Sequence, residues 1–188
     1  MEAAESVFCD NGYHDASLAE IAGLSGFAVG TLYLYFEDKA DLYGNLLLEK
    51  MKKMVSDFEE ALGSGSSAAQ CLRLAVHSQF AFHDANQTFF EIFLHQHQVH
   101  SSPLHRNHWK EMERLKGMLL TAIEKSIVLG QKAGELRSGS PRLFAVAFLG
   151  VTLQMIRQWI REKGSGRLSD SADFAADCFL NGVLSSRL

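Results

Sequence analysis

Proline, cysteine and long apolar runs are all scarce in this chain of 188 residues. Its two prolines leave long stretches free to form helices, because proline removes a backbone donor and breaks a helix interior. Its three cysteines include no CxxC pair and no spacing typical of a zinc site, which favours reduced thiols. No unbroken apolar run reaches the roughly 18 residues that span a bilayer, and acids stand where a signal peptide has bases. We therefore expect a helical, cytoplasmic protein without a membrane segment.

Basic residues are rare in the first third of the chain. Residues 1–62 hold 12 acids and 4 bases, whereas residues 63–188 hold 10 acids and 14 bases. Lys39 is the one base within residues 1–45. Charge alone therefore does not favour a nucleic-acid partner for the N-terminal part.

Signatures of common enzyme active sites are missing as well. The sequence has no P-loop, no GxSxG elbow, no HExxH motif and no convincing pair of carboxylates. We expect neither an enzymatic activity nor a bound cofactor.

Apolar residues recur at helical spacing through most of the chain. A stripe over residues 38–62 predicts one long helix, and the GSGSS run that follows it predicts a boundary. Residues 141–163 are apolar nearly all round, which indicates a helix buried on several sides. The patterns together predict an all-α fold of about nine helices.

The segment from residue 17 to residue 42 predicts two short helices around a glycine turn. Ser17 followed by Glu20 is the reciprocal capping pair of a helix start, and Gly26 provides the break. A second short helix is expected over residues 28–35, with Leu32 facing inward. Asp38 is then the expected N-cap of the long helix. Such a pair is a candidate DNA-binding helix-turn-helix.

This segment, SLAEIAGLSGFAVGTLYLYFEDKADL, resembles the helix-turn-helix of the tetracycline-repressor (TetR) family. The matching residues include Ile21-Ala22, Gly26, the Gly30–Tyr33 run, Tyr35-Phe36, Lys39 and Leu42, and GELRSGSPRLFAVAFLG at 134–150 is similar to the turn before the family's last two helices. The resemblance implies a DNA-binding domain over residues 1–45 and a ligand-binding and dimerisation domain over residues 46–188, with helix 38–62 connecting them. The first helix resembles one whose start is missing.

The resemblance also implies which residues contact DNA. They are Ser17, Ala28, Val29, Thr31, Tyr33, Leu34, Tyr35 and Lys39. Ala28 and Val29 depart from the family pattern, because they offer neither a helix cap nor a hydrogen-bond donor, although apolar side chains can contact a thymine methyl. With so few bases the salt dependence of binding should be shallow, unless a basic arm precedes Met1.

A sensor domain needs an apolar cavity and a dimer interface. We expect a small hydrophobic ligand in a pocket lined by Phe80, Phe89, Phe93, Trp109, Met112, Met118, Met155 and Trp159. The last two helices should pair across a twofold axis through Phe144, Phe148, Val151, Phe174, Phe179 and Val183, giving a homodimer that suits a palindromic operator. The resemblance therefore implies a repressor that its ligand releases from DNA.

Five histidines within 14 residues leave a second interpretation open. They are His95, His97, His100, His105 and His108. Two of them and one more ligand could hold a transition metal, but Pro103 interrupts the spacing and no cysteine is near. We expect no metal here. The acidic N-terminal part, together with Ala28 and Val29, leaves an alternative function open, which is a ligand- or metal-binding helical sensor whose DNA binding is weakened or lost.

Overall fold

A computed structural model describes residues 1–91, 106–162 and 165–183 of the chain. All regular secondary structure in these ranges is helical, which confirms the all-α prediction. The helices are α1 Glu2–Asp15, α2 Leu18–Ser25, α3 Val29–Leu32, α4 Lys39–Gly63, α5 Ala68–Ala85, α6 in residues 87–91, α7 Arg106–Lys132, α8 Pro141–Arg161 and α9 Ala172–Val183, the last preceded by a 3-10 turn, Leu168–Ser171. Phe93, His95, His97, His100 and His105 lie outside the described residues.

Serine hydroxyls begin three of these helices. Ser17 and Ser67 accept hydrogen bonds from the backbone amide three residues on, each at 3.1 Å, at the starts of α2 and α5. Ser140 does the same for α8 at 3.3 Å, with Pro141 in the first turn as predicted. Each hydroxyl satisfies an amide that the helix itself leaves without a partner.

Two of the expected helix ends are different in the structure. The Asn11-Gly12 pair is a turn signal that predicts the end of the first helix. Gly12 does leave the helical path with a positive φ of 75°, but the path resumes and α1 ends only at Asp15. The predicted second helix of the pair, residues 28–35, is too long, because α3 stops at Leu32 and continues as tight turns.

The chain forms two compact units, and each unit consists of two stretches that are separated in the sequence. Unit 1 consists of Met1–Lys52 and Thr88–Glu113, and unit 2 of Lys53–Gln87 and Arg114–Leu188. The start of α7, residues 106–113, therefore belongs to unit 1, whereas the rest of α7 belongs to unit 2. The division of the chain at residue 45 stays a prediction.

Each unit has an aromatic core. In unit 1 the ring of Tyr43 packs edge-on against Phe8 and Tyr13, with centroid distances of 5.1 and 5.2 Å, and it is tilted against the ring of Phe89 at 5.3 Å. In unit 2 the fully packed Phe148 contacts Phe58 at 6.4 Å and Phe179 at 5.2 Å. These distances are typical of favourable aromatic pairs.

Helix α8 has a buried face and an exposed apolar face. Phe148 of α8 and Phe179 and Val183 of α9, three of the predicted interface residues, are buried within the single chain and offer little surface to a second copy. The largest rings fill the core because that is where their area is removed from water. Leu143 (68% exposed) and Phe174 (66% exposed) lie on the outside instead, together with Val146 and Leu153, while Phe144 and Val151 are half-buried.

By length and composition alone, α8 is also the one helix within the described residues that could cross a membrane. Its most apolar 18-residue window has a mean hydropathy of 1.5, and 33% of it is buried. A core helix of a folded domain has the same composition, so this single helix is weak evidence of a membrane segment.

Candidate nucleic-acid interface

Helices α2 and α3 are joined by a tight glycine turn. Gly26 adopts a left-handed conformation (φ 75°), and the amide of Phe27 donates to the carbonyl of Ala22 at 3.0 Å, which closes the end of α2. At the start of α2 the Ser17 cap is present, but the carboxylate of Glu20 accepts from Asn11 Nδ2 at 2.9 Å instead of returning to Ser17. The reciprocal half of the predicted capping pair is therefore replaced by a tie to α1.

Helix α3 begins without a side-chain cap and is fixed by one buried residue. Ala28 at the N-cap provides no hydrogen bond, as its chemistry predicted. Leu32 is buried, and its carbonyl accepts from the amides of Tyr35 at 3.0 Å and Phe36 at 2.9 Å. The turns after α3 are thus held by the backbone, with Leu32 as the anchor.

The predicted DNA-contacting side chains lie on the outside of unit 1. Leu34 is 82% exposed and Tyr35 75% exposed, and Val29 and Tyr33 are also exposed. Ser17 and Ala28 are exposed, while Thr31 is half-buried. Within the described ranges, two side chains of this group make hydrogen bonds. Ser17 caps α2, and Lys39 donates to two backbone carbonyls. The arrangement leaves these residues available to a partner.

Lys39 makes structural hydrogen bonds that the sequence analysis did not predict. Its Nζ donates to the carbonyl oxygens of His14 and Ala16, both at 2.8 Å, and lies 4.8 Å from the centroid of the Tyr13 ring. Partial burial lowers the pKa of Lys39, and the nearby carboxylate of Asp15 opposes this shift. Two of the three ammonium donors therefore tie the start of α4 to the end of α1, which leaves one for a phosphate.

A polar cluster fixes the turn that carries α3 into α4. Asp38 caps α4 as predicted, accepting from the amide of Asp41 at 2.8 Å. The Asp41 carboxylate accepts from the amide of Glu37 at 3.0 Å and lies 3.1 Å from His108 Nε2. Asn45 Nδ2 donates to Asp41 Oδ1 at 2.9 Å. His108, at first a candidate metal ligand, is therefore a buried partner of Asp41.

The described residues contain no group of three His, Cys, Asp or Glu side chains that could hold a metal ion. The other four histidines of the cluster lie outside the described residues. The metal alternative therefore gains no support from the residues that can be inspected.

Sequence reasoning missed the role of Tyr43. It is completely buried in unit 1, and its hydroxyl has no hydrogen-bond partner within the described residues. Burial raises the pKa of Tyr43 well above the value of a solvated phenol. The signal in the sequence was its place next to Leu42 on the predicted apolar stripe. Two adjacent apolar residues widen the face of a helix that is expected to be buried.

Unit 2 contains a cavity of about 960 Å³. The residues around it come from the end of α4, the GSGSS loop, the start of α5, α7 and the start of α8, and include Leu62, Cys71, Arg114, Met118, Lys125, Leu129, Glu135 and Arg142. Glu135 helps to define one wall, because its carboxylate accepts from the amide of Ala68 at 2.7 Å. Gly130 allows α7 to approach Ala68 closely, since a β-carbon there would overlap it.

The cavity combines apolar walls with basic side chains. Leu62, Met118 and Leu129 supply apolar surface. Arg142 is held by Glu124 at 3.4 Å, and Arg114 Nη1 lies 3.1 Å from the sulfur of Met118. Such a lining suits an amphiphile with an apolar chain and an anionic group.

Most of the predicted pocket residues lie elsewhere. Met118 lines the cavity, but Phe80, Phe89 and Met112 are completely buried among other side chains and present no surface to a ligand. Phe89 and Met112 even belong to unit 1. Trp159 is nearly buried, with Nε1 donating to the carbonyl of Gly166 at 3.1 Å, and Trp109 and Met155 are half-buried outside the cavity lining.

Comparison with known families finds matches over most of the chain. Residues 1–46 match the family model "Bacterial regulatory proteins, tetR family". Residues 65–183, more than half of the chain, match "Tetracyclin repressor-like, C-terminal domain". The chain belongs to the TetR family. The resemblance seen in residues 17–42 is thereby confirmed.

Similar proteins include a regulator of fatty acid metabolism and other transcriptional regulators. The chain is 29% identical over 184 residues to the fatty acid metabolism regulator protein of Bacillus subtilis (strain 168), covering 97% of this chain and 93% of that one. It is 26% identical over 161 residues to the transcriptional activator FasR of Mycolicibacterium smegmatis (strain ATCC 700084 / mc(2)155), covering 84% and 69%. The fold is shared with Bacillus subtilis FadR in complex with stearoyl-CoA, with a TM-score of 0.78, 24% identity and 96% of each chain covered.

The TetR assignment gives the two units their general roles. This chain is a helix-turn-helix transcriptional regulator, and members of its family bind operator DNA and a small ligand. Its similar proteins are regulators rather than enzymes. The exposed side chains around α3 and the cavity of unit 2 are the corresponding candidate sites.

Proposed function

We propose that this protein is a cytoplasmic, homodimeric repressor that binds a palindromic operator through α3 and is released by a long-chain acyl thioester. The observation that carries the proposal is the exposure of the side chains around α3, held in place by the buried Leu32 and the Gly26 turn. A short helix presented in this way fits a major groove.

The cavity of unit 2 supports an amphiphilic ligand. Its volume of about 960 Å³ is at the upper end of what small-molecule sites need. Apolar groups such as Leu62 and Met118 suit an acyl chain, while Lys125 and Arg142 suit phosphate groups. The Bacillus subtilis relatives, one a fatty acid metabolism regulator and one seen with stearoyl-CoA, favour this class of ligand.

The exposed apolar face of α8 and α9 supports the homodimer. Leu143 and Phe174 are each about two-thirds exposed, and Val146 and Leu153 extend the same surface. Several exposed apolar side chains on the last two long helices are typical of an interaction site. Pairing with a second copy gives the twofold symmetry that a palindromic operator requires.

DNA binding is tested by selection. The full chain is incubated with a randomised double-stranded library, and bound duplexes are recovered over several rounds and sequenced. We expect enrichment of a palindrome, with half-sites about one helical turn or a multiple of it apart. A library that remains random while the chain still binds an acyl thioester would instead favour a sensor whose DNA binding is lost.

Ligand release is tested on the selected duplex. Stearoyl-CoA should lower the affinity for the duplex, whereas free CoA and stearate, tested separately, should have much weaker effects. The variant Ala122→Trp places a large ring in the cavity wall and should abolish release without preventing DNA binding. Lys132→Trp, on an exposed position of the same helix outside the cavity, is the matched control.

A further inference from the structure

Residues 27–35, here called the recognition segment, contain no charged side chain. The sequence is FAVGTLYLY. The side chains that identify bases by paired hydrogen bonds are Arg and Lys for guanine, Asn and Gln for adenine, and Asp and Glu for cytosine. None of these occurs in the segment. Its side-chain hydrogen-bonding groups are hydroxyls, which both donate and accept and therefore discriminate poorly between base edges.

The same segment presents an unusual amount of apolar surface. Leu34 is the most exposed large apolar side chain of the described residues. Phe27 and Val29 of the same segment are also exposed. Leu32 alone turns inward. Because exposed apolar side chains gain free energy only when a partner covers them, this surface requires an apolar partner group.

Electrostatic attraction to the DNA backbone is weak in the first 50 residues, where Lys39 and Lys50 are the two lysines and arginine is absent. No arginine precedes Arg73 in the chain. Lys39 uses two donors on the carbonyls of His14 and Ala16, and Lys50 Nζ lies 2.7 Å from the carboxylate of Glu5. Fewer phosphate contacts leave a larger share of the affinity to contacts with the bases.

We infer that the protein reads its operator chiefly through thymine C5-methyl groups that pack against Val29 and Leu34. The thymine methyl is the apolar group that a base pair exposes in the major groove. This inference rests on the proposed DNA-binding function. It adds the chemical feature of the operator that determines specificity.

The test uses the full chain and a duplex that it has selected from the randomised library. Each thymine of one half-site is replaced in turn by deoxyuridine, which removes the methyl and keeps every hydrogen-bonding group. We expect about a fourfold loss of affinity at two or more positions, the value for one buried methyl. At the same positions a 5-methylcytosine·guanine pair should bind more tightly than a cytosine·guanine pair, because it restores the methyl.

The variants Val29→Ala and Leu34→Ala assign the methyls to side chains. Each should remove the effect of deoxyuridine at its own position and leave the other position unchanged. Leu24→Ala, an exposed leucine on α2, is the control and should keep both effects. If the selected duplex binds equally well with deoxyuridine at every thymine, methyl reading is wrong although the protein still binds DNA. If no duplex is selected, the proposed DNA-binding function fails together with this inference.

Discussion

The imidazole of His108 lies directly against Gly44, in the space that a β-carbon on that residue would occupy. Three ring atoms of His108 are closer to that position than any van der Waals contact allows. The ring cannot easily retreat, because Nε2 lies 3.1 Å from the Asp41 carboxylate. The start of α7 is thus fitted into a notch on α4 that only glycine provides.

Gly44→Ala should destabilise the protein, although alanine normally stabilises a helix interior by up to about 1 kcal/mol. Overpacking against the anchored ring should lower the free energy of unfolding by about 1–3 kcal/mol, measured by urea denaturation. Gly117→Ala on α7, with open space around it, should raise it instead. The double variant Gly44→Ala/His108→Ala should lose most of the Gly44→Ala penalty, and simple additivity would contradict the notch.

Lys39→Met should weaken both folding and DNA binding. The loss of two bonds to the carbonyls of His14 and Ala16 should cost about 1–2 kcal/mol of unfolding free energy, because the group is partly exposed. Lys39→Arg should retain part of the unfolding free energy that these two hydrogen bonds contribute. If the third donor contacts a phosphate, the slope of log K against log salt should fall by about 0.9. Unchanged stability would exclude the tie to α1.

His83 should make stability depend on pH. It is buried on α5, and its Nδ1 donates to the carbonyl of Gln79 at 2.8 Å. Burial lowers its pKa in the folded state, while the Gln79 bond and Asp84 oppose the shift. The unfolded chain therefore binds the proton more readily, so stability is unaffected above about pH 6.5 and falls below it, by at most about 1.4 kcal/mol per pH unit. His83→Asn should show a shallower decline between pH 7 and pH 5 in thermal melts.

The sequence predicted the helix-turn-helix segment better than it predicted the cavity of unit 2. The Ser17 cap, the Gly26 turn and the Asp38 cap are local features, because each depends on residues three or four positions apart. The end of α3 at Leu32 could not be read in this way, because the turns over residues 33–36 are held by backbone hydrogen bonds that leave no side-chain signal in the sequence.

The cavity and the outer face of α8 could not be predicted for a different reason. Helix α8 is apolar nearly all round, so its periodicity does not say which face is buried. We expected the large ring of Phe148 at an interface, whereas it fills the core and the smaller Leu143 remains outside. The cavity likewise depends on the loop over residues 63–67 and on Gly130. Glycines do not contribute to an apolar pattern, so the sequence pattern does not predict a cavity there.

Leu143→Glu should convert the protein to a monomer. Leu143 is 68% exposed in the single chain, so a glutamate there is tolerated by the fold but places a charge in an apolar interface. Sedimentation velocity should give a dimer for the native chain and a monomer for the variant, with thermal stability of the protomer as the control. Leu24→Glu, on an exposed position of α2, should remain dimeric. A dimer that persists in Leu143→Glu would place the interface elsewhere.

Gln79→Met should make the protein more stable. Gln79 lies on the buried face of α5 with 1% of its surface exposed, and neither amide atom has a hydrogen-bond partner within the described residues. An unsatisfied buried polar group costs about 1–3 kcal/mol, and methionine has nearly the same shape without that penalty. Urea denaturation should therefore show an unfolding free energy higher by about 1–3 kcal/mol. Gln79→Glu buries a carboxyl at the same place and should lower it. If Gln79→Met is instead less stable than the native chain, the amide has partners in solution and is part of the hydrogen bonding of the core.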